Sequence, residues 1–165
     1  MRSVTRLAIF ALAATACTDQ PSPLTAPVAA PDRSIAYVTL SNAQPAQGSV
    51  ILVTVNTGAG AGADGLGSFT ARLLLGPGLE FVEESAVACG AHAIRVSGDT
   101  VTVAGASATG FVDGQLFAVK ARVVDPRLLP AITLTFTEAN TVHFGNQFAA
   151  LKVERGVFVA PRQVK

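Results

Sequence analysis

Successive short runs of this 165-residue chain alternate apolar and polar residues, and no segment carries the 3.6-residue period of an amphipathic helix. A period of two sends neighbouring side chains to opposite faces of a strand, one face buried and one wet. Ser68-Phe69-Thr70-Ala71-Arg72-Leu73, Thr100-Val101-Thr102-Val103 and Ile132-Thr133-Leu134-Thr135-Phe136-Thr137 all read this way. In Phe117-Ala118-Val119-Lys120-Ala121-Arg122-Val123, the two cations share one face and the apolar residues Phe117, Val119, Ala121 and Val123 the other. Val50-Ile51-Leu52-Val53-Thr54-Val55 is β-branched and apolar. Turn residues separate the runs at Gly48, Gly76-Pro77-Gly78, Ser97-Gly98-Asp99, Asp113-Gly114, Asp125-Pro126 and Arg155-Gly156. The pattern predicts strands over 34–41, 49–56, 66–75, 79–83, 93–97, 100–105, 115–125, 131–137, 141–149 and 151–159. Strands at this spacing with no helix between them imply an all-β fold, a single sandwich of about nine strands over 34–160. Phe69, Leu73, Val101, Val103, Phe117, Val119, Leu134 and Phe136 are its expected core.

The segment before the domain has a different character. Arg2 and Arg6 precede an apolar run from Leu7 to Ala16, which ends in Ala13-Ala14-Thr15-Ala16 directly before Cys17. A ten-residue helix spans about 15 Å, half of the roughly 30 Å of a bilayer core. Residues 1–16 therefore read as an export signal and not as a permanent span. A cysteine at the cleavage point resembles the lipobox of bacterial lipoproteins, which implies a diacylglycerol thioether on Cys17. Ala14, three positions before the cysteine, departs from the leucine preferred there. Thr18 follows the cysteine where an aspartate commonly signals inner-membrane retention, so the expected location is the cell envelope, at the outer membrane of a cell with two. Residues 17–33 carry Pro21, Pro23, Pro27 and Pro31 and read as an extended tether. Residues 161–165 are a short tail. With Cys17 lipidated, Cys89 has no partner within the chain and reads as a small buried hydrophobe, the alternative being an intermolecular disulfide or a reactive thiol; without lipid, a Cys17–Cys89 disulfide is open to the chain, though the flexible tether disfavours it.

Composition narrows the function. Loss of Arg2 and Arg6 takes Lys+Arg from 12 to 10 against 11 Asp+Glu, so no basic footprint for nucleic acid exists. The chemistry of sites is equally sparse. Gly60-Ala61-Gly62-Ala63-Asp64-Gly65 has the spacing of a dinucleotide loop but runs into a strand instead of opening a helix. His92 and His143 are the only histidines, and neither stands in a spaced set of zinc ligands. No G-x-S-x-G elbow supports a Ser-His-Asp site. Glu80, Glu83 and Glu84 sit at the end of a short strand and read as a solvated edge, not as a glycosidase pair. No catalytic residue, metal or cofactor is expected.

The order of the strand motifs is informative. Gly48 to Asn56 is followed by Gly65-Leu66-Gly67-Ser68-Phe69-Thr70-Ala71-Arg72-Leu73 and Gly76-Pro77-Gly78-Leu79-Glu80-Phe81-Val82. Then come Gly98 to Ala106, Gly114 to Val123, and Gly156-Val157-Phe158-Val159. The series resembles the cohesin domain, a jelly-roll sandwich related to some cellulose-binding modules. The resemblance implies a non-catalytic module that attaches to a protein partner, of the dockerin kind in cellulosomes. Cellulosomal cohesins usually carry an aromatic-Asp-Pro turn where this chain has Leu75-Gly76-Pro77. Many use an Asn and an Asp two residues apart to hold dockerin, and the matching positions here are Ser68 and Thr70.

Combining the alternation with that strand order, Ser68, Thr70, Arg72, Thr102, Lys120 and Arg122 are expected to project from adjacent strands of one exposed sheet and to form the partner face. The alternative occupant is a polysaccharide. Flat sugar faces are gripped by exposed Trp and Tyr, and the chain has no Trp and one Tyr, Tyr37.

Overall fold

The computed structural model describes residues 34–59, 65–143, 145 and 151–159. The expected signal, the tether, most of the Gly/Ala loop and the tail lie outside the described residues. The described residues form ten strands: β1 Ser34–Leu40, β2 Val50–Ala59, β3 Leu66–Leu74, β4 Leu79–Phe81, β5 Val87–Ala88, β6 Ala91–Ser97, β7 Thr100–Phe111, β8 Asp113–Val123, β9 Thr133–Thr141 and β10 Lys152–Val159. They form two layers. One sheet has the order β10-β1-β2-β8-β4, with β5 also on β8; the other has the order β6-β7-β3-β9. All pairs are antiparallel except β1 with β10.

The period-two faces meet as expected. Phe69, Leu73, Val101, Val103, Phe117, Val119, Leu134 and Phe136 are all buried. Phe69 sits at the centre of an aromatic cluster, edge-on to Phe111 and Phe136 with centroids 5.5 and 6.0 Å away and stacked on Phe117 at 6.4 Å. The opposing strand leaves room for its ring through Gly105, where a Cβ would fall 2.6 Å from Phe69 Cε1.

The structure corrects several boundaries. The strand expected to stop at 137 continues to Thr141, and the strand expected over 141–149 begins instead as a turn at 142–143. The turn is closed by the Thr141 hydroxyl, which accepts from the amides of His143 and Gly145 at 3.2 and 3.0 Å. The Asp125-Pro126 turn is extended into a 3-10 helix over Pro126–Ala131. Asp125 caps it by accepting from the Arg127 amide at 2.9 Å and pairs with the Arg127 guanidinium at 2.9 Å, since proline at the first position leaves one fewer donor to satisfy. Cys89 is buried but is not a lone thiol: its sulfur takes part in a disulfide. The chain's other cysteine, Cys17, lies outside the described residues.

Candidate functional site

The central strand of the four-stranded sheet is β3, flanked by β7 and β9. Its apolar residues Phe69, Ala71 and Leu73 are buried in the core, which aims Ser68, Thr70 and Arg72 outward. The register lays these out in rows. Arg72 lies between Thr102 on β7 and Thr135 on β9, with Arg95 on β6 beyond Thr102. Thr70 lies between Ala104 and Glu138, and Ser68 between Ala106 and Asn140. Ala93 and Ala91 continue these rows onto β6. Four alanines thus floor one half of the face, beside a polar half on β3 and β9.

The polar half is a connected network. Thr70 Oγ1 donates to Glu138 Oε2 at 3.2 Å, Asn140 Nδ2 donates to Glu138 Oε1 at 2.8 Å, and Asn140 Nδ2 also donates to Ser68 Oγ at 3.2 Å. Strict alternation from Leu134 and Phe136 would have sent Glu138 into the core. A bulge prevents this: Ala71 pairs with Phe136 but Thr70 with Glu138, so Thr137 is the extra residue. The Thr137 hydroxyl donates to the Thr70 carbonyl at 3.3 Å. Beyond the bulge the parity is reversed, so Ala139 and Thr141 are buried while Glu138 is exposed and Asn140 half-buried. Sequence reasoning missed Glu138, Asn140 and Arg95. The signal that could have found the first was a carboxylate at an inward parity beside Phe136, a placement whose desolvation cost favours a bulge.

Lys120 and Arg122 do not belong to this face. They lie on β8, in the other sheet, and project from its outer side. The expectation that all six residues share one sheet is therefore corrected: Ser68, Thr70, Arg72 and Thr102 are together, and Lys120 and Arg122 are across the sandwich. Alternation fixes which residues point away from the core, but both sheets have such a side, and only strand pairing says which. Arg122 sits across from Glu80, 3.9 Å away with both side chains largely exposed, a contact worth little. Arg72 and Arg95 make no ion pair among the described residues.

Other candidate chemistry is not assembled. Among the described residues no three His, Cys, Asp or Glu side chains are grouped to hold a metal ion. No helix of the described residues is long and apolar enough to cross a membrane. Tyr37 is buried, and desolvation, with a smaller contribution from the Asp113 charge, raises its hydroxyl above the ordinary value of 10.0.

Two layers in this strand order, with β3 central to one sheet and β1 and β10 parallel in the other, can be compared with solved structures. A non-cellulosomal cohesin from the hyperthermophilic archaeon Archaeoglobus fulgidus superimposes with a TM-score of 0.57 at 22% identity, over 78% of this chain and 93% of that one. The domain has the cohesin fold. A type I cohesin in complex with a dockerin from Clostridium thermocellum gives 0.55 at 10% identity, over 82% of this chain and 98% of that one. The sixth cohesin of scaffoldin B from Acetivibrio cellulolyticus, in complex with a Cel5 dockerin, gives 0.53 at 14%, over 76% and 97%. No protein-family model matches the sequence, and no curated protein matches it. At these identities the cohesin-like domain shares architecture with the solved proteins, and its surface has to be read from its own residues.

Proposed function

We propose that this cohesin-like domain is a non-catalytic protein-binding module whose partner docks across the outer face of β6-β7-β3-β9. The observation that carries the reading is the Ser68–Asn140–Glu138–Thr70 network beside the alanine floor. The resemblance implies an Asn and an Asp at positions 68 and 70. Here the strand offers two hydroxyls, and an amide and a carboxylate reach the same place from β9. A flat, partly apolar centre with polar groups held in fixed positions suits a protein partner. Arg72 and Arg95 lie two strand spacings apart, about 10 Å, and complement an acidic edge on that partner. A dockerin-type domain is the partner class favoured by the solved complexes of this fold.

The module is proposed to work outside the cytoplasm, exported by residues 1–16 and held at the envelope by lipid on Cys17. With lipid on Cys17, the disulfide of Cys89 has to be made to a cysteine of another chain, since the one Cys17 sulfur cannot carry both a thioether and a disulfide. The glycan reading is not favoured by the one tyrosine: Tyr37 is buried, so it offers no exposed ring to a sugar face.

The test is capture from envelope extracts by the purified chain, with and without a calcium chelator. Arg72→Glu with Arg95→Glu is expected to lose capture, while Lys120→Glu with Arg122→Glu captures as wild type. Both pairs should keep stability to within about 0.5 kcal/mol, as exposed surface changes do. Equal loss from the two pairs would refute the choice of face.

A further inference from the structure

A second surface lies at the edge of the sandwich, on the open side of β6 and its inner pleat, not on the outer face just described. Among the described residues β6 ends its sheet, and no described strand pairs with the backbone groups on its far side. Its pleat follows that of β7: Ile94 and Val96 pair with Val103 and Val101 and so point toward the layer interior. Sheet pairing does not close over them there, and Val96 remains 38% exposed. Facing them across the gap is the end of β4 with the segment that follows it. Together they enclose a cleft of about 720 Å³, with Phe81, Ala86, Ile94 and Val96 as its apolar floor and Glu80, Glu83 and Glu84 on its rim.

The rim is fixed. Val82 donates its amide to the Lys120 carbonyl at 3.0 Å, and the Ser85 hydroxyl accepts from the Lys120 amide at 3.1 Å while donating to the Val82 carbonyl at 2.5 Å. These bonds tie the acidic segment to β8. Among the described residues Glu83 and Glu84 make no ion pair, and Glu80 has only the long contact with Arg122.

We propose that this cleft is a strand-addition site for an extended basic segment of a partner protein. The segment pairs its backbone with the open edge of β6. Every second side chain then enters the cleft. Lysine or arginine suits those positions, because its aliphatic stem covers the floor while its charged head reaches the glutamates. The charge selects this occupant over a second copy of the chain. Two copies joined at β6 would bring two sets of Glu80, Glu83 and Glu84 together, and like charges there repel.

The probe is a short blocked peptide alternating valine with lysine, titrated into the isotope-labelled full chain and followed by backbone amide shifts. Saturable shifts confined to 82–86 and 91–97 are expected. Affinity should fall about tenfold or more with glutamate in place of lysine, with proline in place of alternate valines to remove ladder donors, and in the Glu83→Gln, Glu84→Gln double variant. Glu84 has a φ of 57°, a conformation glycine adopts freely, so Glu84→Gly provides a charge-removing variant that also relieves the backbone. It should weaken binding while leaving the remaining spectrum in place. The proposal is overturned by a glutamate peptide that binds equally well, by an affinity indifferent to these variants, or by shifts on β3 and β9 instead. It is also overturned by concentration-dependent pairing of the chain through β6 without a response to the peptide.

Discussion

Replacing Gly105 by alanine tests the packing beneath β3 and β7. The added Cβ would lie 2.6 Å from Phe69 Cε1 and 2.7 Å from its Cζ, about 1 Å inside the 3.5–4.0 Å at which carbon atoms rest against each other. The ring cannot retreat, because Phe111, Phe117 and Phe136 surround it at centroid distances of 5.5, 6.4 and 6.0 Å. Overpacking of this kind costs about 1–3 kcal/mol. The loss of chain freedom in the unfolded state returns about 0.4–1 kcal/mol, since the position is not in a left-handed conformation. Taking the middle of each range, the net expectation is a destabilisation of about 1.3 kcal/mol. It is read from the midpoint of equilibrium urea unfolding at constant m, with circular dichroism as the signal because the chain has no Trp. Phe69→Leu removes the clash, so its cost in the Gly105→Ala background should be smaller than in wild type by about 0.5 kcal/mol or more. A variant as stable as wild type would refute the reasoning, as would two costs that simply add, since the clash would then not be their common cause.

The remaining expectations concern ionisation and the anchor. Tyr37 is the chain's only tyrosine, so tyrosinate absorbance reports it alone. Its hydroxyl should ionise above 10.0, and Asp113→Asn should bring it partway back. Because the folded value is raised, its contribution to stability is present below the unfolded value and is lost as pH climbs through the folded one. For Asp125 the sign is opposite: hydrogen bonds from the Arg127 side chain and backbone hold its carboxyl below the ordinary 3.8. Its contribution is present above 3.8 and is lost as pH falls through the lower folded value, so Asp125→Asn should flatten that part of the acid limb of stability against pH. Finally, mass analysis of the membrane-extracted protein should find lipid on Cys17, and Cys17→Ser should release the chain; a Cys17–Cys89 disulfide in the same material would overturn the anchor.

The inward parity of Phe69, Leu73, Val101, Val103, Phe117, Val119, Leu134 and Phe136 was legible in the sequence because it depends only on the two-residue pleat and on which side chains water rejects. The same logic marked Ser68, Thr70, Arg72, Thr102, Lys120 and Arg122 as outward. Long-range pairing decided the rest. Whether two outward residues share a face depends on which strands are neighbours, and β8 pairs with β2 while β3 pairs with β7 and β9. No local pattern encodes that choice, so alternation alone cannot tell that Lys120 and Arg122 lie across the sandwich from Arg72. The bulge at Thr137 is a second case. It reverses the parity of β9, because keeping Phe136 and Ala139 both inside requires one residue to be left out of the ladder, and the result is a carboxylate and an amide beside Thr70 and Ser68. The sequence by itself determined which side of each strand is wet; the tertiary structure decided which wet sides adjoin, since that is set by hydrogen bonds between residues far apart in the chain.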